Sequence, residues 1–204
     1  KYNIDTSTGV LTLTGSGATN NYSNMNVNFG SSIKRCPWYD SRDSIKRVVI
    51  SEGVTVLGNY LFFEMTSVQT VILPSTVTGV NRYAFAGCTA LSTVNLQDTK
   101  ITKIGLNAFE NDAKFTTLRL PETLTEISDF AFRKAGLNRL SIGAQSFDDA
   151  VLKILGRIHK AGQITETVTA ARNAGIDNLS LDLMFGISGQ TIESWEKSVE
   201  AAIA

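Results

Sequence analysis

Histidine occurs once and cysteine twice in the 204 residues, and these shortages remove much chemistry from consideration. Cys36 and Cys88 are far apart and fit no CxxC metal or redox spacing, so both read as buried or half-buried thiols. His159 has no cysteine near it, so the usual four-ligand zinc site is excluded, and one imidazole leaves little scope for Ser-His-Asp or Cys-His catalysis. Charge of one sign is also lacking. Lys and Arg total 19, Asp and Glu total 19, and no basic run stands out, so no nucleic-acid partner is expected. No apolar stretch approaches the roughly 18–20 residues that span a bilayer. No signal peptide is visible. The first residue is Lys1 rather than Met, which reads as a processed or trimmed product from which a targeting segment could have been removed.

What is present is a repeat. Ile45-Lys-Arg-Val-Val-Ile50 aligns with Val68-Gln-Thr-Val-Ile-Leu73, Leu91-Ser-Thr-Val-Asn-Leu96, Phe115-Thr-Thr-Leu-Arg-Leu120 and Leu137-Asn-Arg-Leu-Ser-Ile142. The starts, at 45, 68, 91, 115 and 137, lie 22 to 24 residues apart. Each copy is apolar at positions one, four and six, and the last two alternate as in a short strand with one face inward. A turn follows, such as Pro74-Ser75 or Pro121-Glu122, and then a second apolar pair: Val54 and Leu57, Val77 and Val80, Ile101 and Ile104, Leu124 and Ile127. A phenylalanine completes each unit: Phe62, Phe85, Phe109 and Phe132. One unit cannot bury its apolar face alone, whereas stacked units form a solenoid with a parallel sheet along one side.

The units resemble the BspA-like leucine-rich repeats of bacterial surface proteins. Glu52-Gly-Val-Thr55, Leu73-Pro-Ser-Thr-Val-Thr78 and Tyr83-Ala-Phe-Ala-Gly-Cys88 carry the resemblance. Upstream, Gly9-Val-Leu-Thr-Leu-Thr-Gly15 and Pro37-Trp-Tyr39, followed by Arg42 and Ile45-Lys46, look like the segment that often opens such arrays. Residues 2–14 read as a β-hairpin, residues 16–34 as a long loop, and Trp38 as a cover for the first repeat. The resemblance covers roughly residues 1–136. It implies recognition of a protein or glycan at a bacterial cell surface or outside the cell, without catalysis. The exposed strand positions that could meet a ligand are Lys46, Arg47, Gln69, Thr70, Ser92, Asn95, Thr116 and Arg119.

After Ile142 the pattern fails. Asp148 is a good N-cap, and Val151, Ile154, Leu155 and Ile158 have helical spacing. Residues 161–173 read as a second helix stopped by Gly175. Leu179 to Phe185 reads as a strand interrupted by Asp182, and a last helix from Thr191 puts Trp195, Val199, Ala202 and Ile203 on one face. The order is that of a βαβ unit and a half.

Residues 135–204 are similar to part of the radical-SAM family of oxygen-independent coproporphyrinogen III oxidases. The matching runs are Ala135-Gly-Leu-Asn-Arg-Leu-Ser-Ile-Gly-Ala-Gln-Ser-Phe-Asp148, Leu155-Gly-Arg-Ile-His159, Ala174-Gly-Ile-Asp-Asn-Leu-Ser-Leu-Asp-Leu-Met-Phe-Gly186 and Gly189-Gln-Thr-Ile-Glu-Ser-Trp195. Ser188 departs from the family, which usually has proline there. The resemblance implies that Gln145, Arg157 and Asp182 contact S-adenosylmethionine in complete members. Those members also hold a [4Fe–4S] cluster on a CxxxCxxC motif, which is lacking here, so Gln145, Arg157 and Asp182 are read as relics and no cofactor is expected. As a relic, Asp182 would be satisfied by Arg157 or by solvent.

The expectation is therefore an α/β chain in three parts. Residues 1–44 form an N-terminal hairpin and capping region, 45–143 a right-handed leucine-rich-repeat solenoid with a parallel sheet, and 137–204 a βαβα partial-barrel fragment. Leu137, Leu140 and Ile142 fit both parents, so the fragment can continue the sheet, with its helices covering the last coil. The first functional expectation is a non-catalytic binding or scaffold protein. The second is a truncated member of the enzyme family, cytoplasmic, binding cofactor, haem or a partner through residues 137–204, with His159 as the one axial-ligand candidate.

Overall fold

The computed structural model describes residues 1–23, 35–112, 114–115, 117–136, 139–157, 159–173, 176 and 178–203. In chain order the elements are β1 (Tyr2–Asp5), β2 (Val10–Leu13), β3 (Gly17–Ala18), β4 (Arg47–Ile50), β5 (Val54–Leu57), β6 (Thr70–Ile72), β7 (Gly79–Val80), β8 (Thr93–Val94), β9 (Lys103–Ile104), β10 (Thr117–Arg119), β11 (Glu126–Ile127), β12 (Arg139–Gln145), α1 (Asp149–Ile154), α2 (Ala161–Asn173), β13 (Leu179–Leu183) and α3 (Ile192–Ile203).

The hairpin is as expected: β1 and β2 pair antiparallel, and β2 then pairs in parallel with β4 of the first repeat. The repeats stack as coils with three sides. On the first side β4, β6 and β8 continue the parallel ladder, with Val48 beside Val71 and Val71 beside Val94. On the second side, which the sequence did not announce as strands, β3, β5, β7, β9 and β11 form another parallel sheet. The second apolar pairs occupy it or flank it: Val54, Leu57, Val77, Val80, Ile101, Ile104, Leu124 and Ile127 are all buried. On the third side the turns carry the phenylalanines, and backbone N–H groups reach the next coil: Phe62 donates to Ala84 O (2.7 Å), Phe85 to Ala108 O (2.8 Å) and Phe109 to Ala131 O (2.8 Å). Tyr60, Tyr83, Asn107 and Phe130 hold φ between 54° and 57° at the equivalent corner of each coil. Non-glycine residues accept this left-handed state only where the surroundings fix it, as the stacked backbone does here.

The rings form a column. Trp38 stacks on Phe62 (5.8 Å between centroids), Phe62 on Phe85 (5.2 Å), Phe85 on Phe109 (5.0 Å) and Phe109 on Phe132 (5.3 Å). Trp38 thus covers the open end of the first coil.

Two readings need correction. Gly17 and Ala18 are strand and not loop: β3 pairs with β5, and beyond it Thr19 N–H donates to Val56 O and Tyr22 N–H to Asn59 O, both at 2.9 Å. Their small and polar side chains gave no apolar alternation, yet their backbone forms the first rung. Residues 24–34 of that stretch lie outside the described residues. The first-side ladder also divides into β1–β2–β4–β6–β8 and β10–β12–β13. Beside the division a helical turn at Leu96–Asp98 ends the third repeat's strand, and the Asn95 amide pairs with Leu73 backbone N–H (2.7 Å) and C=O (3.0 Å).

The fragment continues the sheet. β12 pairs in parallel with β10, and β13 with β12, placing Leu140 beside Leu179 and Ile142 beside Leu181. No barrel closes. One apolar core runs from Leu11 through the repeats to Ala171 and Ile176, with Val168 and Ala170 packed against it. The packing helix is α2: Thr167 Oγ1 donates to Leu124 O at 3.4 Å. The expectation that the α1 and α3 faces cover the last coil is only partly met. Val151 is buried and Leu155, Trp195, Val199 and Ala202 are half-buried, but Ile154 and Ile203 are exposed. The crossover between β12 and β13 puts α2 over the core, whereas α3 follows the last strand and lies beyond it. Leu137 and Ile158 lie outside the described residues.

Candidate functional site

The C-terminal ends of β12 and β13 meet the last repeat at a cleft of about 310 Å³. Its walls include Arg119, Glu122 and Gln97 from the repeats, and Ser141, Gln145 and Asp182 from the fragment. Clefts at strand ends are where open α/β sheets bind ligands.

Gln145 ends β12 with φ +64°, where the pairing to β13 shifts register. Its backbone carbonyl accepts from Met184 N–H at 2.9 Å, and its amide nitrogen lies 2.9 Å from where a Cβ on Gly143 would stand. Gly143 thus leaves room for that side chain. Asp182 projects from β13, exposed, and accepts a hydrogen bond from Ser141 Oγ at 3.0 Å. Arg157 follows Gly156, whose φ of +67° takes the chain out of α1. Its guanidinium pairs with Glu122, while its buried Nε has no partner. The structure therefore brings Gln145 and Asp182 to one cleft, while Arg157 is not among its lining residues and pairs with Glu122 of its wall.

Of the two partners expected for Asp182, Arg157 or solvent, Arg157 is turned to Glu122 on the last repeat's turn, and the exposed Asp182 carboxylate faces solvent and accepts from Ser141. Glu122 and Ser141 were missed by sequence reasoning, and Arg119 was named only as an exposed position of the strand face. Only the Pro121-Glu122 turn was visible, and nothing local pairs it with a residue from the other parent.

His159 is 8% exposed, in the connection between α1 and α2, with Nε2 3.5 Å from Ala144 O and Nδ1 unpartnered. It lines a space of about 20 Å³ with Leu120, Leu124 and Ile142. That holds about one water, so a porphyrin has no room beside this imidazole. The thiols are buried in the repeats. Burial pushes Cys36 up to about 11 and holds Cys88 well above its ordinary value, and Cys88 Sγ donates to Phe62 O at 3.1 Å. Among the described residues no three His, Cys, Asp or Glu side chains gather at a metal-binding distance. The groups present thus do not fit an iron–sulfur cluster, and the guanidinium that would meet a cofactor carboxylate is engaged by Glu122.

The strand face differs in kind. Lys46, Arg47, Gln69, Ser92 and Arg119 are exposed in a row along the first side. Thr70 and Asn95 are half-buried, and Asn95 serves the backbone as described; Thr116 lies outside the described residues.

Comparison with known proteins decides the family. Six copies of the BspA type leucine rich repeat region match residues 31–152. The chain belongs to the BspA-type leucine-rich-repeat family. A leucine-rich repeat protein from Eubacterium ventriosum superposes with a TM-score of 0.52 at 25% identity, over 68% of this chain and 41% of that one. A leucine-rich repeat protein of T. pallidum shares the fold, with a TM-score of 0.51 at 18% identity, over 90% of this chain and 79% of the other.

The chain is also similar to a second group of proteins. The heme chaperone HemW of Bacillus subtilis is 38% identical over 92 residues, 45% of this chain and 24% of the relative. Radical S-adenosyl methionine domain-containing protein 1 of Mus musculus is 46% identical over 70 residues, 34% of this chain and 16% of the relative. The chain spans about a quarter or less of these curated relatives. Only 52 residues follow residue 152 (204 − 152), so an aligned stretch of 92 residues necessarily enters sequence that the repeat match also covers.

Proposed function

We propose that this chain is a non-catalytic binding scaffold of a bacterial surface. It presents the strand face of its repeats to a protein or glycan ligand, and the enzyme-like fragment is the terminal cap of the solenoid. The observation that carries the reading is the engagement of Arg157 by Glu122 at a junction where one core passes from the repeats into α2. Capping requires that junction to be closed, and closing it uses Arg157, which would otherwise face a cofactor. Repeat arrays need such an end, since an uncovered last coil exposes its apolar side. Among the described residues no helix is long and apolar enough to cross a membrane.

The test is a binding screen of the full chain against extracellular host proteins and glycans, with two variant sets. Arg47→Ala combined with Gln69→Ala and Ser92→Ala is expected to abolish any binding found. Gln145→Ala with Arg157→Ala is expected to leave it intact. The opposite pattern, with folding preserved in both, moves the site to the junction cleft.

A second reading rests on the shared cleft of Gln145 and Asp182: the fragment retains a weak site for a polar, ribose-bearing ligand, since an amide and a carboxylate can both bind ribose hydroxyls. Calorimetric titration with S-adenosylmethionine separates the two. Heat that vanishes in Asp182→Ala supports the second reading, and no heat at millimolar ligand rejects it.

A further inference from the structure

The junction cleft owes its shape to the repeats as much as to the fragment. At Leu96–Asp98 the third repeat leaves the first-side ladder in its helical turn, so β8 and β10 do not pair and the face opens there. Gln97 and Thr99 from that turn and Arg119 from the end of β10 line the opening. Beside Arg119 in register stands Ser141, whose hydroxyl donates to Asp182 at 3.0 Å. The Asp182 carboxylate is thereby drawn from β13 toward the strand next to Arg119. Yet among the described residues Arg119, which is exposed, has no carboxylate within ion-pair distance. The other acids nearby are engaged: Glu122 pairs with Arg157, and Asp98 accepts from the Asn95 and Gln97 amides at 3.3 and 3.4 Å. One cleft therefore presents a guanidinium and a carboxylate that do not close on each other.

The rest of the lining sets the class of ligand. No aromatic ring lines the cleft among the described residues, and Leu120 is its one large aliphatic side chain. A flat base has nothing to stack on there. The remaining groups are hydroxyls and amides, which pair with a polyhydroxylated ring. Thr123 Oγ1, for example, donates to Ile101 O at 2.7 Å and keeps its lone pairs for a ligand hydroxyl. The 310 Å³ equal the liquid volume of about ten water molecules, room for one sugar ring. We propose that this cleft binds a sugar acid of the hexuronate class, free or at the end of a glycan. Its carboxylate pairs with the Arg119 guanidinium, whose planar fork suits two parallel hydrogen bonds. Neighbouring ring hydroxyls donate to Asp182, which Ser141 holds in place. This site does not rest on the strand-face reading, and it gives the cleft an occupant other than a ribose-bearing one.

Calorimetric titration of the full chain with glucuronate and with glucose tests this. Glucuronate should bind about tenfold more tightly than glucose, because only it offers Arg119 a carboxylate. Arg119→Gln should abolish that preference, and Arg119→Lys should keep part of it. Asp182→Ala should weaken glucuronate about tenfold, although it removes a negative charge beside an anionic ligand. Both positions are exposed, so the melts should not change. Methyl glucuronide separates the two sources: retained binding supports a glycan end, and lost binding supports the free sugar. The triple substitution of Arg47, Gln69 and Ser92 should leave glucuronate binding intact. No heat with millimolar glucuronate overturns the proposal, as does a parent that binds both sugars equally. A preference that survives Arg119→Gln overturns it too. So does tighter binding in Asp182→Ala, which would mean charge attraction alone, and so does loss of binding in the triple variant, which would seat the sugar on the strand face.

Discussion

Phe85 and Phe109 lie one coil apart with ring centroids 5.0 Å apart and planes within 9° of parallel. Both are fully buried. Each of these two rings is therefore packed from above and below by its counterparts, and neither can be lost without uncovering two neighbours.

Phe85→Ala or Phe109→Ala should accordingly destabilise the chain by about 3–5 kcal/mol, the usual cost of truncating a fully buried phenylalanine. Urea denaturation followed by circular dichroism measures it. Midpoints within error of the parent would mean that the column does not carry the core.

Gly105 tests the spacing of the coils on the backbone. A Cβ there would stand 2.7 Å from Arg82 N and 2.8 Å from the carbonyl carbon of Asn81. These are main-chain atoms that cannot swing aside. Gly105→Ala should cost about 1–3 kcal/mol, as overpacked sites do. The same denaturation experiment checks it, and a neutral result would mean that the coils lie further apart than described.

Much of this was legible in the sequence because it rests on apolar period. The strands of the first side, the recurring phenylalanines, the Asp148 cap, the limits of α2 and the order of the last elements all follow from local pattern. The second sheet did not, because strands as short as Gly79–Val80 or Lys103–Ile104 show no alternation and owe their pairing to the coil above and below. The choice of covering helix was also hidden. The apolar face of α3 is only half-buried at Trp195, Val199 and Ala202, with Ile192 and Ile203 exposed, while α2 packs inward with Ile164, Thr167 and Ala171, because connectivity and not amphipathicity places them. At the junction, resemblance pointed to Gln145, Arg157 and Asp182, but the Glu122 partner of Arg157 comes from the other parent and has no motif.

Asp112 gives a pH dependence of defined sign. It is buried, Oδ1 accepts from Cys88 N–H at 2.9 Å, and Oδ2 has no partner among the described residues. Burial holds its carboxyl well above the usual carboxylate range. The folded chain thus keeps a proton that the unfolded chain releases above about pH 4, so this residue subtracts stability as pH rises through that value. Asp112→Asn keeps the acceptor and removes the titration. It should melt higher than the parent near neutrality, with the advantage gone at about pH 3. An advantage that is the same at both pH values would contradict the burial argument.

The central claim is that the repeats and the enzyme-like fragment share one core, closed at its end by α2. Removing residues 144–204 tests it most directly, because it leaves Leu124, Ile127 and Ile142 without the helix that covers them. Each such side chain is worth roughly 1.5–3 kcal/mol of burial, and the exposed strand edge invites pairing between chains. Thermal unfolding with light scattering on residues 1–143, beside the full chain, is the measurement. The account predicts aggregation or a melt lower by many degrees. A shortened chain that is monomeric and melts with the parent would show two independent domains and contradict it.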